Sequence, residues 1–297
     1  LHRRRHSFPT RRSSDLSNMG DSFFYLLNAI SKLDKLDVTQ VTKVSKFYKT
    51  KAWGYKEQDD FINCCVELET KLLPYKLLFE ISNIESKLQR VRELHWGPRT
   101  IDIDIIFYDD LRIESEKLTI PHKYYKQRNF VLVPLLDIIW DKKQIIKYID
   151  KKSFNDLEEY KYPKKIGISA CLLGDNIKYN GGNNYTKLYV QTLKLDYLKV
   201  CPETLVGLPI PRVPSEIKGD KVFSKIGDDL SEEFEVAANK TLERIKKYGV
   251  DIVIMKSKSP SCGYENIYDG TFTGNLIKGN GRTVDCLLKN GIKIISY

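Results

Sequence analysis

Hydrophobic and polar residues alternate with two different periods in the first half of the chain. After Asp21, the run FFYLLNAISKLDKL carries apolar residues at helical spacing, which predicts an amphipathic helix. Residues 37–50, 61–69 and 100–108 are rich in β-branched or alternating residues and predict strands. Pro74 opens a second predicted helix, since proline is favoured in a first turn. We therefore predict an α+β fold, with helices packed on a largely antiparallel sheet.

The second half has a different pattern, in which short apolar strands are separated by helices. Strands are predicted at 165–170, 196–200 and 251–255, and helices near 231–248 and 282–290. This alternation is typical of an α/β fold with a mainly parallel sheet.

The chain of 297 residues is long enough for two domains, and its composition shifts at two places. The polar residues 150–163 predict a linker between a domain at 17–149 and a domain at 164–297. Residues 1–16 hold five arginines and lack the apolar centre of a secretory signal. They resemble translated sequencing-adapter sequence, so we expect a non-native extension outside the fold. The alternative is a natural basic arm for an anionic partner.

Composition narrows the classes of function. Hydrophobic residues at 41% and charged residues at 30% indicate a globular protein. No apolar run approaches the roughly 20 residues of a membrane-spanning helix, so we expect a cytoplasmic protein without a membrane partner. The formal charge of +10 forms no basic stripe with interleaved aromatic residues, which favours small phosphate-bearing substrates over nucleic acid.

The stretch RVRELHWGPRTIDIDIIFY carries the clearest chemistry of the first half. Asp102 and Asp104 are two residues apart on a predicted strand, so both side chains leave the same face. They repel each other unless a cation neutralises them, and a hard divalent ion such as Mg²⁺ can share its other sites with phosphate oxygens. Arg90, Arg92 and Arg99 match the charge of a triphosphate. For the two carboxylates alone, a solvent-facing strand edge is the alternative.

On these residues the first half resembles the hydroxymethyldihydropterin pyrophosphokinase family, from Ser17 to about Asp137. The resemblance implies a ferredoxin-like fold and the transfer of pyrophosphate from ATP to a reduced pterin, releasing AMP, in folate biosynthesis. The family's opening strand is central in such a sheet, and residues 1–16 stand in its place here. We therefore expect the first half, as written, to fold poorly or to be inactive.

The same resemblance implies roles for individual residues. Asp102 and Asp104 would bind two Mg²⁺ ions. The other catalytic residues would be Arg90, Arg92 and Arg99. The substrate contacts would be Phe61, Asn63, Trp96, His122, Arg128 and Phe130. Without the resemblance, the phenylalanines would be interpreted as core residues and the histidine as a loop residue.

Three of the six cysteines, Cys171, Cys201 and Cys262, follow predicted strands of the second half. Because ligands bind at the carboxyl edge of a parallel sheet, these thiolates are able to converge on a soft metal or an iron–sulfur cluster. Scattered core thiols are the alternative that the spacing leaves open. The remaining cysteines are predicted to be buried and inert: Cys64, Cys65 and Cys286. The low number of cysteines excludes a secreted disulfide scaffold.

The second half resembles the family that includes thiouracil desulfurase. The matching motifs are SACLLG (169–174), CPE (201–203), SPSCG (259–263) and YDGTFTG (268–274). The resemblance implies a [4Fe-4S] cluster on the three cysteines, with a free iron that accepts sulfur from a thiolated nucleobase.

The resemblance further implies that Glu203 donates or accepts a proton, assisted by Ser259 or Ser261. The family often has another cysteine near the motif KYNG, where this chain has Ile177. That difference leaves the substrate open. A non-catalytic cluster sensor is the alternative to the desulfurase.

Overall fold

The computed structural model describes residues 10–17, 20–51, 59–89, 100–151, 156–186, 188–189, 193 and 195–297, with the backbone alone at 10–12 and 14–16. The chain contains two compact units, residues 1–161 and residues 162–297. Across the described ranges, no helix is both long and apolar enough to cross a membrane.

The first unit combines one sheet with helices and a short ribbon. In chain order its elements are β1 (Thr10–Ser17), α1 (Ser22–Asp34), β2 (Thr39–Val44), β3 (Phe47–Thr50), β4 (Phe61–Thr70), α2 (Pro74–Lys87), β5 (Asp102–Tyr108), β6 (Ile113–Glu114), β7 (Thr119–Ile120), α3 (Asn129–Ile138), α4 (Lys143–Ile146) and β8 (Leu157–Tyr160).

The two longest helices of this unit begin where the sequence predicts. The Asp21 carboxylate accepts a hydrogen bond from Phe24 N at 3.0 Å and caps α1, as short polar side chains do. Pro74 lies at the start of α2. The apolar stripe of α1 is buried: Phe23, Leu26, Leu27, Ile30 and Leu33. Both predicted helices are confirmed.

The sheet is antiparallel, with the strand order β5-β1-β4-β3-β8 and with β2 also paired to β4. The single strand predicted at 37–50 is two strands, because the chain leaves the ladder at Ser45 and Lys46. The Ser45 Oγ there accepts a hydrogen bond from Cys65 N at 2.8 Å and so replaces a ladder bond. The prediction of a largely antiparallel sheet with packed helices is confirmed.

The first strand departs from expectation. All of β1 except Ser17 belongs to the segment 1–16 that we expect to lie outside the fold, yet β1 pairs with β4 on one side and with β5 on the other. Backbone hydrogen bonds do not depend on side-chain identity, so a polar segment is able to complete the ladder. The side chains fit less well, because the Ser13 and Ser17 hydroxyls are buried without a hydrogen-bond partner in the described part of the chain.

Ser13 therefore provides a test of how well β1 fits. Its side chain is 2% exposed, and the unpartnered hydroxyl is buried at a desolvation cost of about 1–3 kcal/mol. Ser13→Ala is expected to raise the free energy of unfolding in urea by about 1 kcal/mol. The matched control is Ser45→Ala, which removes a buried hydroxyl that is hydrogen-bonded to Cys65 N and Lys46 O and should lower stability. A loss of stability in Ser13→Ala would contradict the placement of β1.

The predicted linker also contributes to the first unit. Leu157–Tyr160, within the predicted linker 150–163, forms β8 and pairs antiparallel with β3. Tyr160 contacts the ring of Phe23 at 5.8 Å, and Glu159 pairs with Lys46 at 2.6 Å. The charged residues of β8 led to the prediction of a linker instead of a strand. An edge strand exposes one face and one backbone edge to water, so it tolerates such residues.

The second unit alternates strands and helices as predicted. Its elements are β9 (Ile166–Ser169), β10 (Tyr197–Val200), α5 (Pro202–Leu205), β11 (Ser215–Lys218), β12 (Lys221–Ser224), α6 (Ser231–Lys247), β13 (Ile252–Met255), β14 (Asn266–Tyr268), β15 (Leu276–Lys278), α7 (Arg282–Lys289) and β16 (Lys293–Ser296).

Four of these strands form a parallel sheet in the order β10-β9-β13-β16. The strands are short and fully apolar at their centres, as expected for a sheet buried on both faces. One buried cluster combines strand residues with α6 and α7, including Val253, Met255, Ile245, Val284 and Leu287. Two ribbons, β11-β12 and β14-β15, stand outside the sheet. The predicted parallel sheet is confirmed.

Two candidate active sites

The first candidate site is built on β5. Asp102 and Asp104 lie two residues apart on this strand, so their side chains share a face. Asp102 is 8% exposed, whereas the Asp104 side chain is 30% exposed. Among the described residues, no set of three or more His, Cys, Asp or Glu side chains is arranged to hold a metal ion. Two carboxylates nevertheless suit Mg²⁺, which completes its shell with water and phosphate oxygens.

Two further predicted residues converge on Asp104. Arg128 Nη1 lies 3.4 Å from Asp104 Oδ2, and His122 Nε2 lies 3.7 Å from the same oxygen. The Arg128 guanidinium also lies over the rings of Tyr124 and Phe130, at 5.4 and 5.6 Å from their centroids. Stacking of this kind restrains the orientation of an arginine.

The charge state of His122 follows from its surroundings. Burial and, to a smaller extent, the nearby Arg128 lower the pKa of the imidazole to about 4, against the opposing effect of Asp102. The imidazole is therefore neutral at pH 7, and its approach to Asp104 is not an ion pair. Tyr124 N donates a hydrogen bond to His122 Nδ1 at 3.3 Å, which leaves Nε2 as the protonated nitrogen of the neutral ring.

The predicted pterin contacts are distributed as follows. Asn63 is buried on β4, where its Nδ2 donates to Thr50 Oγ1 at 2.8 Å and to Tyr48 O at 3.3 Å. Phe61 is buried at the start of β4, and Phe130 packs on a cluster that includes Cys65. Their contacts with a pterin stay a prediction. Four predicted residues lie outside the described residues: Arg90, Arg92, Trp96 and Arg99.

Sequence reasoning missed Glu85, which contacts the backbone of β5 between the two aspartates. This α2 carboxylate is 5% exposed, and its Oε1 accepts a hydrogen bond from Ile103 N, between the two aspartates, at 2.8 Å. A backbone N–H at a sheet edge needs such a partner. The available signal was a glutamate beside Ile84 and Leu88 on the apolar face of a helix.

Glu85→Ala is expected to lower the free energy of unfolding by about 1–3 kcal/mol, because it leaves Ile103 N buried without this acceptor. Glu85→Gln keeps an oxygen at the position and should lose less. The control on the same helix is Glu80→Ala, which removes an ion pair with Lys76 and a long hydrogen bond from Asn83 Nδ2, both within the helix. Urea unfolding would contradict this role if Glu85→Ala and Glu80→Ala were equally stable.

The second candidate site gathers the three predicted cysteine ligands. Cys171 follows β9, Cys201 follows β10 directly, and Cys262 lies in the loop after β13. All three line one cavity of about 510 Å³, at the carboxyl edge of neighbouring parallel strands. The predicted convergence is therefore present in the structure. The other three cysteines do not line this cavity, and Cys64 and Cys65 are buried, whereas Cys286 is partly exposed.

The electrostatics of this cavity suit a thiolate-binding group. Burial raises the pKa of the Cys171 thiol and raises that of Cys262 well above its usual value, and neighbouring Cys201 adds to both effects. Burial therefore favours the neutral thiols of Cys171 and Cys262, and a metal that binds thiolates would supply the missing stabilisation. Lys256 also lines the cavity and is partly buried; burial lowers the pKa of its ammonium group, while Cys171 and Cys262 raise it. Three cysteine thiols are the ligand type that iron–sulfur clusters use, although the side chains of the described residues are not drawn together into a metal-binding group.

Glu203 lies beside the cysteines in a fixed orientation. Its Oε2 accepts hydrogen bonds from Nε and Nη2 of Arg212, the former at 2.9 Å. Its Oε1 accepts a hydrogen bond from Ser261 Oγ at 3.0 Å. Ser259 differs, because its Oγ accepts from the backbone N–H groups of Ser261 and Cys262 and so holds the loop.

Arg212 is the second residue that sequence reasoning missed. Besides Glu203, it donates to the carbonyl oxygens of Ile177 and Pro209, each at 3.3 Å. Its side chain is only 11% exposed. The available signal was a single arginine in the proline-rich run PIPRVP, where the restricted backbone can hold a side chain in one place.

Two protein families match this chain, one on each side of the boundary between the two compact units. Residues 16–140 match the family described as 7,8-dihydro-6-hydroxymethylpterin-pyrophosphokinase (HPPK). Residues 166–297 match the family described as 2-thiouracil desulfurase.

Individual relatives show the same division. A 2-amino-4-hydroxy-6-hydroxymethyldihydropteridine pyrophosphokinase of Aquifex aeolicus is 37% identical over 157 residues, which are 53% of this chain and 93% of that protein. The bifunctional protein FolKE of Lactococcus lactis is 49% identical over 123 residues, but these are 41% of this chain and only 35% of FolKE. A solved structure, the [4Fe-4S]-dependent thiouracil desulfidase TudS, is 36% identical, with a TM-score of 0.43, over 45% of this chain and 90% of that one.

Proposed function

The chain belongs to the 7,8-dihydro-6-hydroxymethylpterin-pyrophosphokinase family through its first domain, and from this premise we propose a bifunctional protein whose first activity is pyrophosphate transfer. The first domain transfers pyrophosphate from ATP to 6-hydroxymethyl-7,8-dihydropterin in folate biosynthesis and releases AMP. The observation that carries this function is the pair of carboxylates on β5, with Arg128 and a neutral His122 beside Asp104. The antiparallel sheet supports the finer assignment of a ferredoxin-like fold.

In this reaction the residues of the first domain would bind the metal ions and contact the phosphates of ATP. Asp102 and Asp104 are the residues that would hold two Mg²⁺ ions, which would supply positive charge to neutralise the phosphates. Arg128 contributes a positive charge held by two aromatic rings. His122 presents an N–H that donates to a phosphate oxygen without adding charge. The pterin hydroxyl oxygen bonds to the β-phosphorus as the bond from that phosphorus to the α,β-bridging oxygen breaks; AMP leaves with the bridging oxygen, and the hydroxyl proton is released to water.

The test is an assay of AMP release from ATP, Mg²⁺ and 6-hydroxymethyl-7,8-dihydropterin. AMP release that depends on the pterin and stops on removal of Mg²⁺ is the expected result. A folded protein that releases AMP at the same rate without the pterin would refute the assignment.

A second function is favoured by the cysteine-lined cavity. We infer that the second domain binds a [4Fe-4S] cluster through Cys171, Cys201 and Cys262 and removes sulfur from a thiolated nucleobase. The three cysteines would hold the cluster, and its chemistry would be to bind the sulfur of the substrate. The overall change is hydrolytic: water oxygen replaces sulfur on the ring carbon, and sulfur leaves as hydrogen sulfide, without net oxidation. Glu203 accepts a proton from water, Ser261 orients one carboxylate oxygen, and Arg212 holds the other.

The test of this second function starts with anaerobic purification of the protein. Visible absorbance of a cluster, together with the release of hydrogen sulfide and uracil from 2-thiouracil, is expected. A cluster-loaded protein that leaves 2-thiouracil intact would instead support the non-catalytic sensor.

A further inference from the structure

One wall of the cysteine-lined cavity is formed by a loop that the proposed mechanism does not use. The loop runs from the end of β14 to β15, and Phe272 and Gly274 of this loop line the cavity together with the cysteines and with Tyr268, the last residue of β14. The residues that flank Phe272 are exposed, whereas Phe272 itself is partly buried.

A buried carboxylate fixes the loop. Glu216, on β11, is 8% exposed, and its Oε2 accepts hydrogen bonds from Gly270 N at 3.0 Å and from Phe272 N at 2.9 Å. Gly270 permits the close approach, because a Cβ there would lie 2.8 Å from Ile217 O and 2.7 Å from Lys218 Cβ. A buried carboxylate is retained only when hydrogen bonds compensate its desolvation, and here those bonds define the path of the loop.

The backbone of Phe272 is held in an unfavourable conformation. Its φ of +57° lies in the left-handed region, which costs a bulky residue on the order of 1 kcal/mol relative to glycine. The ring is not part of the neighbouring hydrophobic cluster of Ile217, Val222, Phe234 and Ile267. Strain that serves no core packing is typical of a residue that contacts a ligand.

We propose that Phe272 is the stacking surface for a planar thiolated heterocycle and that Glu216 positions it. This inference rests on the desulfurase function proposed above and specifies how that site selects its substrate. Stacking on an aromatic ring suits a flat, uncharged heterocycle, since every such ring offers a π-face. The exocyclic sulfur of the bound ring would then point to the part of the cavity lined by the cysteines.

The decisive variant is Phe272→Gly in the cluster-loaded, full-length protein. Loss of stacking is expected to raise the dissociation constant of 2-thiouracil, measured by calorimetry, by about 10-fold, or about 1.4 kcal/mol. The thermal midpoint of unfolding should stay the same or rise, because glycine adopts this φ without strain. A purely structural phenylalanine would give the opposite result, a lower midpoint. The matched control is Leu276→Ala, which removes an exposed apolar side chain of the same ribbon outside the cavity.

The positioning role of Glu216 is tested separately, by comparing 2-thiouracil binding and KM between two substitutions of this residue. Glu216→Gln retains a carbonyl oxygen for the two N–H groups and should bind 2-thiouracil within about twofold of wild type. Glu216→Ala should weaken binding about as much as Phe272→Gly, raising KM while leaving kcat at saturation unchanged. Equal KM values for the Ala and Gln variants would overturn the positioning role.

The outcomes separate this inference from the function on which it rests. If the wild-type protein with an intact cluster neither binds nor desulfurates 2-thiouracil, both are overturned. If wild type does so and Phe272→Gly binds 2-thiouracil equally well, the stacking role alone is overturned.

Discussion

Replacement of Asp104 by alanine is expected to lower the kcat of pyrophosphate transfer by about 100- to 1,000-fold, and Asp102→Ala should do the same. Each change removes one of the two carboxylates of β5 that, in the proposed reaction, would hold Mg²⁺ beside the triphosphate. Asp104 also contacts Arg128 at 3.4 Å, so its loss frees that arginine from one partner. The measurement is the rate of AMP release at saturating ATP, pterin and Mg²⁺.

Stability measurements distinguish this role from a structural one. Without Mg²⁺, Asp102→Asn is expected to be at least as stable as wild type, because it relieves repulsion between two neighbouring carboxylates. The control is Asp110→Ala, an exposed carboxylate just beyond the same strand, whose kcat should match wild type. Near-normal turnover of Asp104→Ala would exclude the carboxylate pair as the metal site.

Loss of any one of Cys171, Cys201 and Cys262 is expected to lower desulfuration of 2-thiouracil by more than about 100-fold. Each of these cysteines follows a different strand of the parallel sheet, so no neighbouring thiol replaces a missing one. Visible absorbance and iron content after anaerobic purification should fall together with the activity. The measurement therefore reports ligand loss and activity in the same sample.

The matched control for these substitutions is Cys286→Ala. Cys286 lies on α7 outside the cavity, where its Sγ is 3.8 Å from Asn239 Oδ1. This variant should retain the cluster and the activity of wild type. If all four alanine variants lost iron equally, the assignment of three specific ligands would be wrong.

Local sequence patterns predicted most of the helices and strands. An element that buries one face has apolar residues at a regular spacing, and that spacing identifies the element. The apolar spacing of α1 and the continuous apolar core of β13 left few alternatives. The pattern failed at β1 and β8, where backbone pairing rather than side-chain burial holds the strand. A polar strand has no periodicity that separates it from a loop.

The candidate sites were predicted only where strand geometry alone brings residues together. Asp102 and Asp104 share a face by the twofold period of a strand, and the three cysteines meet because parallel strands end at one edge. Glu85 and Arg212 could not be located in this way. Their positions depend on how α2 packs against β5 and on the path of a loop, and neither is encoded in local spacing.

The edge strand β8 determines where the chain can be cut to give two separate domains. A cut after residue 149 would remove Leu157–Tyr160 and leave one side of β3 with unpaired backbone groups. Such an edge is a template for pairing with another chain, and the isolated domain would tend to self-associate. A cut after residue 161 keeps β3 covered and coincides with the boundary between the two compact units. The last strand of the pyrophosphokinase domain thus protects it from aggregation.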